Sequence, residues 1–304
     1  MPTLYLIDGN SYIYRAFYAI KRLSNSKGFP TNAIYGFTNM ILKILREKAP
    51  DYFAIVFDSP APTKRHRTYE EYKAHRPKMP DDLALQIQPI KDIIDAFNIP
   101  NIEIEGYEAD DVLATLAKKA EKEKIDVYIV TADKDINQVL SNRIRTYDTM
   151  KDKITEEKDI IERFGVEPSR FPEVMALMGD ASDNIPGVPG VGEKTAVSLL
   201  REFGTLEDLI KNTARIKKPK LKETVSQNIE NIKLSLDLAS IDVHVPLEVP
   251  VRELILKEPA WDRLSDYFHK YEFRRLLALI PGQKKQLQEE ETEYKTILNL
   301  KELT

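Results

Sequence analysis

Nine carboxylates dominate the chemistry open to this sequence: Asp8, Asp58, Glu108, Asp110, Asp111, Asp133, Asp135, Asp180 and Asp183. Three of them crowd into Glu108-Ala109-Asp110-Asp111, directly before an apolar helical pattern. Capping and the helix dipole account for one or two acids there. The adjacent pair Asp110 and Asp111 calls for a cation as well. In Asp133-Lys134-Asp135 the two carboxylates project the same way from extended backbone and make a bite for a hard cation. Gly179-Asp180-Ala181-Ser182-Asp183-Asn184 is a polar loop after an apolar helix. Oxygen-only ligands suit magnesium or manganese rather than zinc or copper. Nine acids exceed the need of one ion, so two or more ions are expected, an arrangement that serves in-line displacement at phosphorus. The chain has no cysteine and only four histidines, none of them at zinc-motif spacing. Thiol nucleophiles, disulfides and iron–sulfur clusters are excluded, and water activated at such ions is the nucleophile that remains.

The net charge of −4 argues weakly against nucleic acid, but the signs are segregated. Residues 59–79 hold Lys64, Arg65, Arg67, Lys73, Arg76 and Lys78 against Glu70 and Glu71. Residues 211–222 hold six cations, Lys217, Lys218 and Lys220 among them, and no acid. Setting the nine carboxylates aside leaves 40 acids against 45 bases. A mildly basic body around an acidic pocket suits a phosphodiester substrate. Tyr69, Tyr72 and Arg76 fall at helical spacing with Lys73 beside them, which suits an unstacked base and its phosphate. In Gly187-Val188-Pro189-Gly190-Val191-Gly192-Glu193-Lys194, glycines precede a helix start. Backbone N–H groups there can hold a phosphate without reading a base. The spacing is not that of a Walker loop.

These residues need a scaffold, and three apolar runs supply it. Thr3–Ile7, Tyr52–Phe57 and Val127–Thr131 are rich in β-branched and aromatic residues, as buried parallel strands are. Each is followed by an aspartate. Helical patterns over Ala33–Arg46 and Asp110–Lys122 lie between them, so an α/β domain with a parallel sheet is expected. In such sheets the ligand site lies off the carboxyl ends of the strands. Beyond about residue 165 the pattern is helical, with helices expected at Phe171–Met178, Glu193–Phe203, Leu206–Lys211 and Lys222–Ser240. The boundaries expected are a core over 1–165, a helical subdomain over 166–282 with core elements returning near 260–280, and a tail over 283–304. That tail is a polar linker followed by Tyr294–Leu300, which resembles the first strand of a further, truncated domain. The first residues, Met1–Asp8, lack the basic start and long apolar stretch expected of a signal peptide, and no apolar run in the sequence is long enough to span a membrane.

Taken in order, Leu6-Ile7-Asp8-Gly9-Asn10-Ser11-Tyr12, Val56-Phe57-Asp58, Tyr72-Lys73-Ala74-His75-Arg76-Pro77, Glu108-Ala109-Asp110-Asp111, Thr131-Ala132-Asp133-Lys134-Asp135, Leu177–Asn184 and Gly187–Thr195 resemble the flap-endonuclease and 5′→3′ exonuclease family. The likeness is to the 5′-nuclease domain at the N-terminus of bacterial DNA polymerase I, and it covers residues 1 to about 280. It implies a PIN-like α/β core, a helical arch over about 63–95 through which a 5′ end passes, and a helix–two-turn–helix DNA-binding subdomain. The nine acids would hold two or more Mg2+, with Mn2+ able to substitute. Lys73, Arg76 and Arg15 would face the scissile phosphate, and Tyr72 would stack near the unpaired nucleotide. Gly187, Gly190, Gly192 and Lys194 would hold the duplex backbone, with K+ a further ion there; Lys217, Lys218 and Lys220 would meet duplex phosphates. Lys64-Arg65-His66-Arg67 is more basic than the family pattern leads one to expect. The implied activity is structure-specific hydrolysis near the single-strand/duplex junction of 5′ flaps, nicked DNA and RNA primers, in DNA replication and repair. The implied protein is a cytoplasmic monomer at the nucleoid, joined to polymerase domains on a longer chain. Two other readings are a non-catalytic DNA-junction-binding module, which has no use for nine converging acids, and a phosphoaspartate-type phosphatase, which needs one nucleophilic Asp and a single ion.

Overall fold

The computed structural model describes residues 1–281. The expected linker and Tyr294–Leu300 strand lie outside the described residues. β1 (Thr3–Asp8), β2 (Tyr52–Phe57), β3 (Asn101–Glu103), β4 (Asp126–Val130), β5 (Ile144–Asp148) and β6 (Lys153–Thr155) form one sheet in the order β3-β2-β1-β4-β5-β6. All neighbours are parallel except β5 and β6, which make an antiparallel hairpin. Leu6 sits opposite Ala54 on one side and Ile129 on the other. Both faces of β1, β2 and β4 are buried, which explains their unbroken apolar sequences. Leu4, Leu6, Val56 and Ile129 face one core, while Tyr5, Ile7, Phe53 and Ile55 face the other, as the two-residue strand period requires.

Helices cover the two faces. α1 (Gly9–Ala19), α2 (Asn32–Lys48) and α4 (Asp81–Ala96) pack on the Ile7 face, and α5 (Ala109–Lys122) packs on the Leu6 face. α3 (Lys64–Thr68) and α6 (Glu157–Phe164) are short. α7 (Phe171–Met178), α8 (Glu193–Phe203), α9 (Leu206–Lys211), α10 (Pro219–Gln227) and α11 (Ile229–Ala239) follow as a helical unit that joins the Leu6 core. α12 (Trp261–Lys270) and α13 (Arg274–Leu277) then return to the Ile7 core, where Leu264, Phe268, Phe273 and Leu276 are buried. The chain leaves β1 toward β2 on one side and returns to β4 on the other. The topological switch therefore falls at β1, and the crevice off its carboxyl end is the place for a ligand.

Three differences from the sequence reading have local causes. The helix expected over Lys222–Ser240 is two helices. Asn228 stops α10 at φ −113°, ψ 21°, and its side-chain amide donates to the Thr224 carbonyl. Tyr69, Tyr72 and Arg76 do not share a helical face, because α3 ends at Thr68 and residues 70–76 form turns. Pro77 and Pro80 bias the residues before them away from helix. Lys73 lies at φ +59°, and its N–H donates to the Asp183 carbonyl. β3, β5 and β6 are too short, or too polar at Arg145 and Lys153, to stand out from sequence.

Candidate active site

The carboxyl ends of β1, β2 and β4 bring the first acids together. Asp8 ends β1, and its carboxylate accepts from Ser11 N at 3.0 Å, which starts α1, and from Thr131 Oγ1 at 2.8 Å. Asp58 follows β2 and accepts from Ala109 N at 2.8 Å, at the start of α5. Asp133 follows β4 and accepts from Asp135 N at 2.9 Å. With Asp110 of α5 they line a cleft of about 820 Å³ that also carries Lys73, Arg76 and Arg15. A cavity of about 410 Å³ adjoins it through Ser11 and Asp133 and adds Asp135, Asp180 and Asp183.

The nine acids fall into two classes. Four are held by cations. Glu108 accepts from Lys73 Nζ at 2.8 Å and lies 3.5 Å from Arg65. Asp111 is bidentate with Arg65, both bonds at 2.8 Å. Asp180 takes Lys134 Nζ at 2.6 Å, and Asp183 takes Arg76 Nη2 at 2.6 Å. The other five, Asp8, Asp58, Asp110, Asp133 and Asp135, have no lysine or arginine within ion-pair distance among the described residues.

For Asp8, Asp110, Asp135, Glu108 and Asp180, titration follows this division. Burial, with Asp58 and Asp133 nearby, pushes the Asp8 carboxyl up to about 7. Burial, then Asp133 and Asp183, pushes Asp135 up to about 7. Burial, then Asp133 and Asp8, raises Asp110 well above the ordinary carboxylate value. For Glu108 burial works the same way, yet Lys73 and Arg65 outweigh it and hold the carboxyl below its ordinary value. Asp180 is likewise held low against burial, by Lys134 and Ser182.

The unpaired class has the chemistry of a hard-cation site. Its donors are all carboxylate oxygens, and Asp135 Oδ1 is buried without a hydrogen-bond partner. An orphaned buried acceptor costs stability unless something fills its lone pairs. Among the described residues no three acids are gathered tightly enough to enclose an ion as they stand.

Several expected site residues are placed elsewhere. Asp111 faces away from the cleft and borders a separate cavity of about 490 Å³ with Arg65. Its carboxylate also accepts from Asp242 N at 2.8 Å and Glu108 N at 3.3 Å, so its bonding capacity is spent within the protein. Glu108 stands behind Lys73. Tyr72 is 4% exposed, with its ring edge on His66 and its hydroxyl donating to Glu108 Oε2 at 3.2 Å. It offers no open face for stacking. Gly187 is buried; its N–H donates to Ser235 Oγ at 3.0 Å, and a Cβ there would meet Gly179 N at 2.3 Å. It is a packing glycine. Gly190, Gly192 and Lys194 are exposed at the start of α8, and Lys217, Lys218 and Lys220 are exposed at the start of α10.

Sequence reasoning missed three residues that organise the site. Arg65 ties α3 to Asp111 and also donates to the carbonyls of Leu238 and Ser240 at the end of α11. The unusual basicity of residues 64–67 was its signal. Lys134 holds Asp180. Asp148 ends β5, another strand-end aspartate, and accepts from Arg15 Nη2 at 3.0 Å.

Comparison with known proteins adds to this geometry. The family model for the 5′-3′ exonuclease N-terminal resolvase-like domain matches residues 3–165, and that for the 5′-3′ exonuclease C-terminal SAM fold matches residues 166–262. A 5′-3′ exonuclease of Aquifex aeolicus is 40% identical over 279 residues, covering 91% of this chain and 94% of that protein. The thermostable DNA polymerase I of Thermus aquaticus is 44% identical over 272 residues, covering 90% of this chain but 32% of the polymerase. This chain thus spans about a third of that relative's length. Among solved structures, T5 5′-exonuclease with bound zinc aligns at TM-score 0.66 and 22% identity, covering 90% of this chain and 98% of that one. The catalytic core of Rad2 in complex with DNA substrate aligns at TM-score 0.62 and 19% identity, covering 89% and 88%. At these identities the two structures establish a shared fold.

Proposed function

The chain belongs to the 5′-3′ exonuclease family, and on that footing we propose that it is a metal-dependent, structure-specific 5′-nuclease. It would hydrolyse phosphodiesters near the single-strand/duplex junction of 5′ flaps, nicks and RNA primer ends, leaving a 5′-phosphate and a 3′-hydroxyl. One observation carries this reading. Four unpaired acids and three cations, Lys73, Arg76 and Arg15, line a single cleft at the carboxyl edge of the sheet. Acids alone would repel a phosphodiester, and cations alone would bind one without hydrolysing it.

Asp8, Asp58, Asp110, Asp133 and Asp135 would hold the divalent ions, with Asp180 and Asp183 joining from the adjoining cavity. Two or more Mg2+ fit this oxygen-only set, and Mn2+ would substitute. When bound, such ions neutralise phosphate charge and make water a stronger acid. The remaining work belongs to the chain. Lys73 and Arg76 are now turned onto Glu108 and Asp183. A substrate phosphate would compete with those carboxylates for them and gain donors already positioned in the cleft wall. Glu108 keeps Lys73 charged and in place, and its own charge is held by Lys73 first and by Arg65 second. Asp111 is left as a structural acid. Outside the cleft, the N–H groups of Gly190 and Gly192, which have no acceptor among the described residues, would hold one stretch of duplex backbone with Lys194 and a K+ ion. Lys217, Lys218 and Lys220 would hold another. Selection would then be by shape and backbone rather than by sequence.

No helix among the described residues is long and apolar enough to cross a membrane. A monomer acting at the nucleoid, in replication and repair and alongside polymerase domains on a longer chain, completes the reading. The test is cleavage of end-labelled 5′-flap DNA. Magnesium or manganese should give release near the junction, calcium should support binding without cleavage, and excess EDTA should abolish cleavage. Robust cleavage in EDTA, or none in magnesium, would overturn the proposal.

A further inference from the structure

Arg15 is the sole lysine or arginine of α1, and it stands in the cleft with Asp8, Asp58, Asp110 and Asp133. A long, flexible cation beside four acids is drawn to fold onto one of them. Instead, its one ion pair among the described residues is with Asp148 at the end of β5, Nη2 to Oδ2 at 3.0 Å. The two side chains are mostly buried, at 20% and 16% exposure. The pair therefore sits out of bulk water, where its geometry is held more firmly than that of a surface ion pair.

Asp148 is itself fixed by the tip of the β5–β6 hairpin. Its Oδ1 accepts from Met150 N at 3.0 Å and from Lys151 N at 3.3 Å. Tyr147 is buried and donates its hydroxyl to Asp152 at 2.7 Å, which pins the far side of the same turn. The tip meets α1 a second time where Thr149 Oγ1 and Tyr12 OH lie 2.5 Å apart, and the Arg15 guanidinium lies 6.0 Å from the centre of that Tyr12 ring. Burial works to raise the Asp148 carboxyl, yet Arg15 and the two N–H groups hold it below its ordinary value, so it stays ionised. A guanidinium is a planar fork with several donors. Only Nη2 of Arg15 is bonded among the described residues, and Nη1 is buried without an acceptor. The cation is held in place without its donors being spent.

We propose that Asp148 is a positioning residue: it keeps Arg15 off the unpaired acids and holds its remaining donors for the phosphate that Lys73 and Arg76 meet. The inference rests on the nuclease reading above and adds the edge hairpin to the parts that make the site work. Two things follow from the arrangement. The unpaired acids keep their oxygens for external cations, because the nearest arginine is tied elsewhere. A phosphate also finds a donor already in place, which need not reorganise as charge develops on it. The one antiparallel pairing of the sheet thereby carries a contact that the parallel strands do not supply.

The selective variant is Asp148→Asn in the full chain. Its Oδ1 can still accept from the Met150 and Lys151 N–H groups, while the amide nitrogen then faces Arg15 and cannot accept. Single-turnover cleavage of a 5′-flap DNA in magnesium should fall by about 10–100-fold, because a donor out of place costs nearly as much as a donor removed. Binding is measured beside it in calcium, on the flap and on a strand whose scissile phosphate is a neutral methylphosphonate. Wild-type protein should bind the neutral strand more weakly. Arg15→Ala should narrow that gap by about tenfold, the size of one charge-assisted hydrogen bond, and Asp148→Asn should narrow it as far. With Arg15→Ala already present, Asp148→Asn should change neither the rate nor the gap. A merely structural role predicts the same added loss with or without Arg15, and that result, or an Asp148→Asn protein equal to wild type in both measurements, would end the assignment. If the wild type binds but never cleaves in magnesium, the proposed nuclease activity falls, and the methylphosphonate gap still decides the role of Asp148.

Discussion

The acids that follow β-strands and the acids that come from caps and loops live under different electrostatics. Asp8, Asp58 and Asp133 sit at strand ends, with Asp110 and Asp135 beside them, and none has a cationic partner within the described chain. Glu108, Asp111, Asp180 and Asp183 come from a helix cap and a loop, and each is held by Arg65, Lys73, Lys134 or Arg76. Unpaired acids crowded together and at least half-buried raise the energy of the folded chain, and they are the ones an external cation can relieve. Paired acids stabilise the frame around them. A cluster of carboxylates is thus two devices, one waiting for charge and one already satisfied.

The sharpest way to break this distinction is to neutralise one acid of the unpaired class. Asp133→Asn should lower single-turnover cleavage by at least roughly a thousandfold, since several kcal/mol of metal-derived stabilisation would go with it. Flap affinity in calcium should hold or rise, because a negative charge has left the cleft. A variant that cleaves near the wild-type rate would remove Asp133 from the metal set.

Next in size is the strut of the paired class. Arg65→Ala leaves Asp111 as an uncompensated buried charge and should cost about 3–5 kcal/mol of stability, read by chemical denaturation. Adding Asp111→Ala to the same chain should restore part of that loss. An Arg65→Ala protein as stable as wild type would show that Asp111 does not depend on its pairing.

Lys73 links the classes, because it is bonded to a paired acid and lines the cleft of the unpaired ones. Lys73→Ala should slow single-turnover cleavage by about 10²–10³, the usual loss for one donor aimed at developing charge, with little change in flap affinity. Equal losses of rate and affinity would make it a positioning residue and shift the catalytic role to Arg76. The smallest effect lies far from both classes. Replacing Lys217, Lys218 and Lys220 with Ala should flatten the dependence of log affinity on log salt by about 2.7 if all three meet duplex phosphates. An unchanged slope would return that run to plain solvated surface.

Much of this was legible in the sequence for a physical reason. β1, β2 and β4 are buried on both faces, so their apolar runs announce them, and the aspartates that follow mark the sheet edge. The bounds of α7, α8 and α9 follow from apolar spacing and from the glycines beyond Met178 and Phe203. What was not legible depends on partners distant in the chain. Nothing local to Asp111 distinguishes it from Asp110; Arg65, 46 positions away, decides which of the two is consumed by structure. Nothing local to Tyr72 tells that its hydroxyl will turn inward to Glu108. The break at Asn228 was hidden by continuous helical spacing, because a side-chain amide can close a helix without interrupting the apolar pattern.

The late return of α12 and α13 to the Ile7 face bears on how such a chain comes off the ribosome. β1 is made first, but the core on one of its sides is closed by Leu264, Phe268 and Leu276, more than 250 residues later. At roughly 5–20 residues per second of synthesis, the core on that side of β1 waits between about a quarter of a minute and a minute for its last members. Contacts so distant in sequence make for slow folding. Until they form, α4, which covers that face of the sheet together with α1 and α2, lacks its own apolar cover, and that is a surface a chaperone has time to find.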